Sequence, residues 1–301
     1  MNNEEQERPL IFGEVLFDHF PDGQRVLGGA PFNVAWNLQG LGLKPLFVSA
    51  VGDDGEGREV RSRMESWEMD TAGLQVAAGH PTGEVRVEME AGEPHFHILD
   101  RQAYDEVQLP QIAIESDRRW SLFYVGSLAY RRETSRGTIE QLIDRIDAPR
   151  FVDVNMRPPW FEQQWADVLL HQAEWIKLNI HELSELAGVS CDNQQQMVDA
   201  VSILRSKHGA RQFFITRGAR GACGVDAAGE AVFVDSPPPQ PMVDPVGAGD
   251  AFAAAAIVGI ERGLPLDELL RTAVQYASKI CSIRGATSTD RSLYQLPSAG
   301  R

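Results

Sequence analysis

The sequence predicts an α/β protein with a central, mostly parallel sheet flanked by helices and a small second β-sheet, and three observations carry that reading. Short, almost continuous apolar runs such as KPLFVSAV (44–51) and RQFFIT (211–216) alternate with longer helix-forming stretches. That order is the one a parallel sheet with crossover helices imposes. The segment from Thr82 to Leu99 departs from it by alternating apolar and polar residues strictly, as an antiparallel hairpin with one covered face does. Finally, a glycine-rich turn, Val243 to Asp250, runs directly into Ala251-Phe252-Ala253-Ala254-Ala255-Ala256, a strong helix former.

Taken in order, Pro9 to Phe17 (PLIFGEVLF) reads as one buried first strand interrupted at Gly13-Glu14, with Asp18 at its end. After a turn at Phe20–Gly23 and a short return strand at Arg25–Leu27, Gly28-Gly29-Ala30-Pro31-Phe32-Asn33 opens a helix running to about Leu41, with Pro31 well placed near its start. The strand at 44–51 and a helix over about 56–69 follow. The hairpin at 84–98, turning at Ala91-Gly92-Glu93-Pro94, is expected to join the short strands near 17–27 in a separate small sheet, a lid. Histidines 95 and 97 flank Phe96 on its polar face and read as solvated side chains.

Regular alternation resumes after Trp120. Strands are expected at 121–128, 150–155, 175–179 and 211–216, with helices at 133–146, 160–171 and 193–208 between them. A strand pair at 223–226 and 231–235 leads through the proline-rich Ser236–Pro241 to the glycine turn, and a last helix spans 265–283.

Totals narrow the function. The chain has 301 residues, 43% hydrophobic and 24% charged, enough for a large core. A net charge of -15 argues against nucleic acid and anionic membranes, which require clustered Lys and Arg. Cys191, Cys223 and Cys281 are widely spaced and odd in number, which suggests reduced thiols and a cytoplasmic protein. No apolar run approaches the roughly 20 residues that cross a bilayer, and Met1–Arg8, polar and carrying three glutamates, is unlike a signal peptide and reads as a frayed tail.

The glycine turn at 244–250 supports two readings. In one, Gly247 and Gly249 form a tight turn and Asp250 is a cap. In the other, backbone N–H groups at the helix start form an anion site, and Asp250 in the first turn is a general base, since a carboxylate there suits a site that must also accept a proton. Polar residues at strand ends form a wider set: Asp18, Asn155, Arg157, Asn179, Glu182, Thr216 and Asp250. In open α/β sheets the C-terminal strand edge is where ligands bind.

Gly28-Gly29-Ala30-Pro31-x-Asn33-x-Ala35 and Asp244-x-x-Gly247-Ala248-Gly249-Asp250-Ala251-Phe252 together resemble the two signatures of the ribokinase-like (PfkB) sugar kinases. Asn179-x-x-Glu182 and Thr216-x-Gly218-x-x-Gly221 fit between them in order. Gly13-Glu14…Asp18 and Asp153-x-Asn155-x-Arg157 followed by Trp160 look most like the bacterial fructokinase branch.

The resemblance implies a ribokinase-like fold, a single sugar-kinase domain over 1–301 with a lid from about 17–27 and 74–100, and ATP-dependent phosphorylation of a sugar, fructose first. Kinases of 2-keto-3-deoxygluconate, ribose or a nucleoside are the alternatives, and a non-catalytic sugar- or nucleotide-binding regulator is a further one. An NAD-dependent dehydrogenase is disfavoured, because neither glycine motif is Gly-x-Gly-x-x-Gly directly after the first strand.

By the same resemblance, Asp250 takes the proton and the amides of Gly247, Ala248 and Gly249 stabilise the transferring group. Asp18, Gly28, Gly29, Asn33, Arg101 and Asn155 bind the substrate. Arg157, Asn179, Thr216, Gly218, Gly221 and Gln275 bind the nucleotide. Glu182 and Asn179 organise Mg²⁺, and Asp244, with residues near Gly285–Ser288, matches loops that hold K⁺ or Na⁺. Pro245 stands where relatives usually carry Thr. A homodimer through the lid is the implied assembly.

Overall fold

A computed structural model describes residues 7–90, 93–115, 119–237 and 241–296. Part of the expected tail at 1–8, the turn at Ala91-Gly92 and the middle of the proline-rich connection at 236–241 lie outside the described residues. The chain divides into two compact units, one of residues 1–121 and 129–148 and the other of residues 122–128 and 149–301.

The first unit contains β1 (Arg8–Phe12), β2 (Leu16–His19), β3 (Arg25–Gly28), α1 (Ala30–Gly40), β4 (Leu46–Val51), α2 (Gly55–Ser66), β5 (Leu74–Val76), β6 (Gly83–Glu90), β7 (Glu93–Ile98) and α3 (Gln111–Ile114). β1, β4 and β5 pair in parallel, Leu10 opposite Leu46 and Ser49 opposite Leu74. A separate four-stranded sheet has the order β3-β2-β6-β7. In it β2 runs antiparallel to β3 and parallel to β6, and β6 and β7 form the expected hairpin. Val85 and Val87 fill its covered face while Phe96 stays half exposed.

Two expectations change here. The apolar run at 9–17 is two strands in two sheets rather than one, because the chain turns at Gly13. Gly13 has φ +154°, and a side chain on it would begin 2.2 Å from Pro31 Cγ, so only glycine passes this crossing. Residues 74–76, expected within the lid, instead extend the parallel sheet beside β4. They complete a strand–helix–strand unit with α2, where Arg61 donates to the Leu74 carbonyl at 2.9 Å. Asp54 caps α2 through Gly57 N–H (2.7 Å) and also accepts from Thr82 N–H (2.8 Å), which fixes where β6 begins.

The second unit has most of β8 (Trp120–Gly126), and after α4 (Glu133–Arg145), which belongs to the first unit, it continues with β9 (Arg150–Asp153), α5 (Gln163–Leu169), β10 (Trp175–Asn179), α6 (Ile180–Ala187), α7 (Gln194–His208), β11 (Gln212–Thr216), β12 (Ala222–Val225), β13 (Ala231–Val234), α8 (Ala248–Glu261) and α9 (Leu266–Ile280). β8, β9, β10 and β11 are parallel neighbours, and β12 and β13 add an antiparallel edge. An aromatic ladder, Tyr124–Phe151–Phe214–Phe252, runs through the sheet into α8 with centroid spacings of 5.8, 6.0 and 6.3 Å. Ala251 and Ala253–Ala256 are all fully buried, so small side chains let α8 lie close to its neighbours. α5 is shorter than expected because Trp160 N–H donates to the Arg157 carbonyl (2.7 Å), closing a turn before the helix begins.

Candidate active site

Parallel register brings the polar strand ends of the second unit to one edge. Asn179 at the end of β10 pairs with Thr216 at the end of β11, and Lys177 pairs with Asp153 of β9. Beside that edge is a cleft of ≈ 370 Å³, within the usual range for a small-molecule site. Thr216, Gly218 and Gly221 form one wall, Ala248, Gly249 and Phe252 another, and Val274, Ala277, Ser278 and Cys281 of the α9 face a third.

α8 starts where the sequence predicts. Gly247 is its N-terminal boundary at φ +80°, no side chain caps it, and Asp250 lies in the first turn. A side chain on Gly247 would begin 2.2 Å from Ala286 Cβ, so the tight turn needs glycine. First-turn N–H groups of a helix lack intrahelical acceptors and carry the positive end of its dipole. Ala248 N–H, however, donates to the Pro245 carbonyl at 3.2 Å, so this one of the three nominated amides has a partner inside the turn. Asp250 is half-buried rather than turned into the core.

Beneath the turn is a pair of charges, of which the sequence pointed only to Asp153, as one residue of a motif. Lys177 Nζ donates to both oxygens of Asp153 at 2.8 Å. Asp153 is fully buried, Lys177 is 6% exposed, and Tyr124 OH also donates to Asp153 at 3.3 Å. Burial by itself would lower the Lys177 pKa, but Asp153, then Glu182 and Asp250, outweigh it and hold the ammonium above its ordinary value. Lys177 lies in the middle of the strand expected at 175–179, where nothing in the neighbouring residues marks it as facing inward.

Asn179 caps α6, its Oδ1 accepting from His181 and Glu182 N–H, while Glu182 accepts from Asn179 N–H at 2.8 Å and Met156 N–H at 2.9 Å. Burial raises the Glu182 carboxyl above the usual range, against the opposing pull of Lys177 and the Asn179 N–H. Glu182 therefore holds the loop that follows β9, where Asn155 adopts φ +45° and Arg157 is exposed, donating to the Met156 carbonyl at 3.3 Å. Asp244 joins two loops by accepting from Val246 N–H (3.0 Å) and Gly285 N–H (2.9 Å). Gln275 corrects an expectation. It is exposed and is not part of the cleft wall, because Val274, Ala277, Ser278 and Cys281 occupy the helix face that is.

In the first unit, Asp18 Oδ2 and Asn33 Nδ2 lie 3.8 and 4.0 Å from the point where a side chain on Gly28 would begin. The two polar groups thus converge over a bare backbone. Gly29 stands at the N-terminal boundary of α1, and Glu14, 4% exposed, accepts from Ala30 N–H at 3.3 Å. Arg101 is exposed with φ +53°, its N–H donating to Asp100. A buried arginine, Arg131, is bidentate to Asp105 at 2.7 and 2.8 Å and donates to the Leu99 carbonyl at 2.7 Å. In the sequence, Arg131-Arg132 looks like an ordinary helix start, and only the fold turns it inward.

Residues 4–292 match the model of the pfkB family carbohydrate kinases. The chain belongs to that family. A sugar kinase of Pyrococcus horikoshii is 32% identical to this carbohydrate kinase over 281 residues, covering 92% of this chain and 85% of that one. Its structure in complex with ATP superposes with a TM-score of 0.76 at 26% identity, over 92% and 93% of the two chains. The fructokinase of Salmonella typhimurium is 29% identical over 298 residues, 93% of this kinase and 92% of the relative. A cytidine kinase of Thermococcus kodakarensis is 26% identical over 284 residues, covering 90% and 95%. The fold is accordingly ribokinase-like, with a large, mostly parallel sheet flanked by helices and a small separate sheet, and the activity is that of an ATP-dependent sugar kinase.

Proposed function

We propose that this kinase transfers the γ-phosphoryl group of ATP to a hydroxyl of a small sugar, with fructose as the acceptor and Asp250 as the base. The observation that carries the reading is the start of α8, where a half-buried carboxylate shares one turn with Gly249, whose edge lines the cleft. Phosphoryl transfer has a loose transition state, so positioning and charge stabilisation do most of the work. In this reading the Gly247–Gly249 amides hold the transferring group. Thr216, Gly218 and Gly221 hold the nucleotide, and the apolar α9 face takes the base. Asp18, Gly28, Gly29 and Asn33 bind sugar hydroxyls, joined by Asn155 and Arg101, while Arg157 clamps a phosphate.

Mg²⁺ prefers phosphate oxygens and water with one or two carboxylates from protein. The two Glu182 oxygens each accept one backbone N–H and keep a second lone pair, so Glu182 fits such an ion, which would neutralise phosphate charge when bound, while Asn179, whose Oδ1 already accepts from His181 and Glu182 N–H, holds Glu182 in place. K⁺ or Na⁺ is assigned to the loops that Asp244 ties together. The protein is read as a cytoplasmic homodimer that pairs through its small sheet.

An ADP-release assay across fructose, 2-keto-3-deoxygluconate, ribose and nucleosides, with Mg²⁺ and with K⁺ or Na⁺, tests this. Fructose is expected to give the highest kcat/KM. A higher value for another acceptor reassigns the substrate, and absence of turnover with all of them defeats the kinase reading.

A further inference from the structure

Asp153 and Lys177 have no part in the roles assigned above, yet they are a fully buried carboxylate and a nearly buried ammonium joined at 2.8 Å. Such a pair is weak evidence for stability, because desolvation offsets most of its Coulomb energy and apolar residues of similar volume often do as well. Its position is more informative. Lys177 Nζ lies 3.4 Å from the point where a side chain on Gly249 would begin, and Cε lies at 3.9 Å. The ammonium therefore abuts the turn whose other edge lines the cleft.

The charges that act on Lys177 are Asp153, Glu182 and Asp250, three carboxylates around one cation. Without the cation, charge developing on a transferring phosphoryl group at this turn would face those carboxylates with the first-turn amides and dipole of α8 as the offsetting positive charge, and in a partly dry site such terms are far stronger than in water. Fixed positive charge that needs no reorganisation during reaction is the most effective form of electrostatic catalysis.

We propose that Lys177, pinned by Asp153, is a positioning residue for phosphoryl transfer: a buried cation that backs the Gly247–Asp250 turn and adds positive potential where phosphoryl charge develops. The inference rests on the kinase reading above. Asp153 serves to aim the ammonium at Gly249, and Tyr124 steadies Asp153 from the neighbouring strand.

The test is the neutral double variant Lys177→Met/Asp153→Asn, which removes both charges while keeping volume, compared with Lys177→Arg and with wild type. Melting temperature, ATP Kd and the steady-state constants are measured for each. The expected result is a folded double variant with ATP Kd within about fivefold of wild type and kcat lower by about 10²-fold, the scale of one lost transition-state donor. Lys177→Arg is expected to recover at least about a tenth of the wild-type rate. A folded double variant with kcat within about threefold of wild type makes the pair a structural bolt and overturns the proposal. Should the double variant not fold, Lys177→Arg decides: a folded but inactive chain overturns the proposal, and a retained rate supports it. Failure of wild type with every acceptor is a different result, which defeats the kinase reading before any variant is made.

Discussion

Two helices of this molecule begin in nearly the same way, and different side chains lie beneath their first turns. α1 follows Gly28-Gly29 and α8 follows Val246-Gly247, each with a glycine of positive φ at its N-terminal boundary and no side-chain cap from that residue. At α1 the chain supplies its own anion, the buried Glu14 carboxylate accepting from Ala30 N–H. At α8 the carboxylate in the first turn, Asp250, is half-buried, and a lysine ammonium lies under the turn. A helix end that is already filled with negative charge suits a neutral polyol. One backed by a cation suits a phosphate. One glycine grammar therefore opens onto two electrostatic settings, and Glu14 and Lys177, which distinguish them, lie elsewhere in the chain.

The comparison breaks first at Asp250. Asp250→Asn is expected to lower kcat by about 10³-fold, within the range for a positioned base, while ATP Kd, measured by calorimetry, stays within several-fold. If melting temperature and ATP binding fall together instead, Asp250 is a cap and the two helix ends are alike. Glu14→Gln sharpens the contrast from the other side. Loss of the charged acceptor at Ala30 is expected to raise KM for the sugar by about tenfold, as removal of a charge-assisted hydrogen bond does, with KM for ATP unchanged. A rise in the ATP constant alone would contradict the division.

The smallest expected effect lies away from both ends. Burial, then Lys207, holds the His208 pKa below its ordinary 6.5, with Asp167 pulling the other way. Because the unfolded chain binds that proton more readily, stability is lost as pH falls from 6.5 towards the folded-state pKa. His208→Gln should flatten the decline of Tm below that pH by a few degrees at most, on the order of 1 kcal/mol. An unchanged slope would show that other groups set it.

Much of the scaffold was legible because periodicity is local. The hairpin at 84–98 alternates every second residue, and it forms β6 and β7 in a small sheet with β2 and β3. The alanine run at 251–256 has one strong preference, and it becomes α8. The errors fall where a long-range crossing overrides a local pattern. Nothing within residues 9–17 says that Pro31 will pass within 2.2 Å of a side chain at Gly13 and split the strand. Gln275, named through the family resemblance, is exposed one residue from Val274 of the cleft wall, a rotation of about 100° around α9. Arg131 and Lys177 were passed over because charged letters near helix starts and strand ends ordinarily face water.

By itself, the sequence determined most of the order of strands and helices, the two glycine turns and the carboxylate in the first turn of α8. Each of these depends on backbone propensities of neighbouring residues, which act over a few positions. Only the tertiary structure decided which charges lie beneath those turns, Glu14 under α1 and the Asp153–Lys177 pair under α8. The reason is that burial of a charge requires a partner brought from another element, and parallel register and close packing, not adjacency in the chain, place that partner.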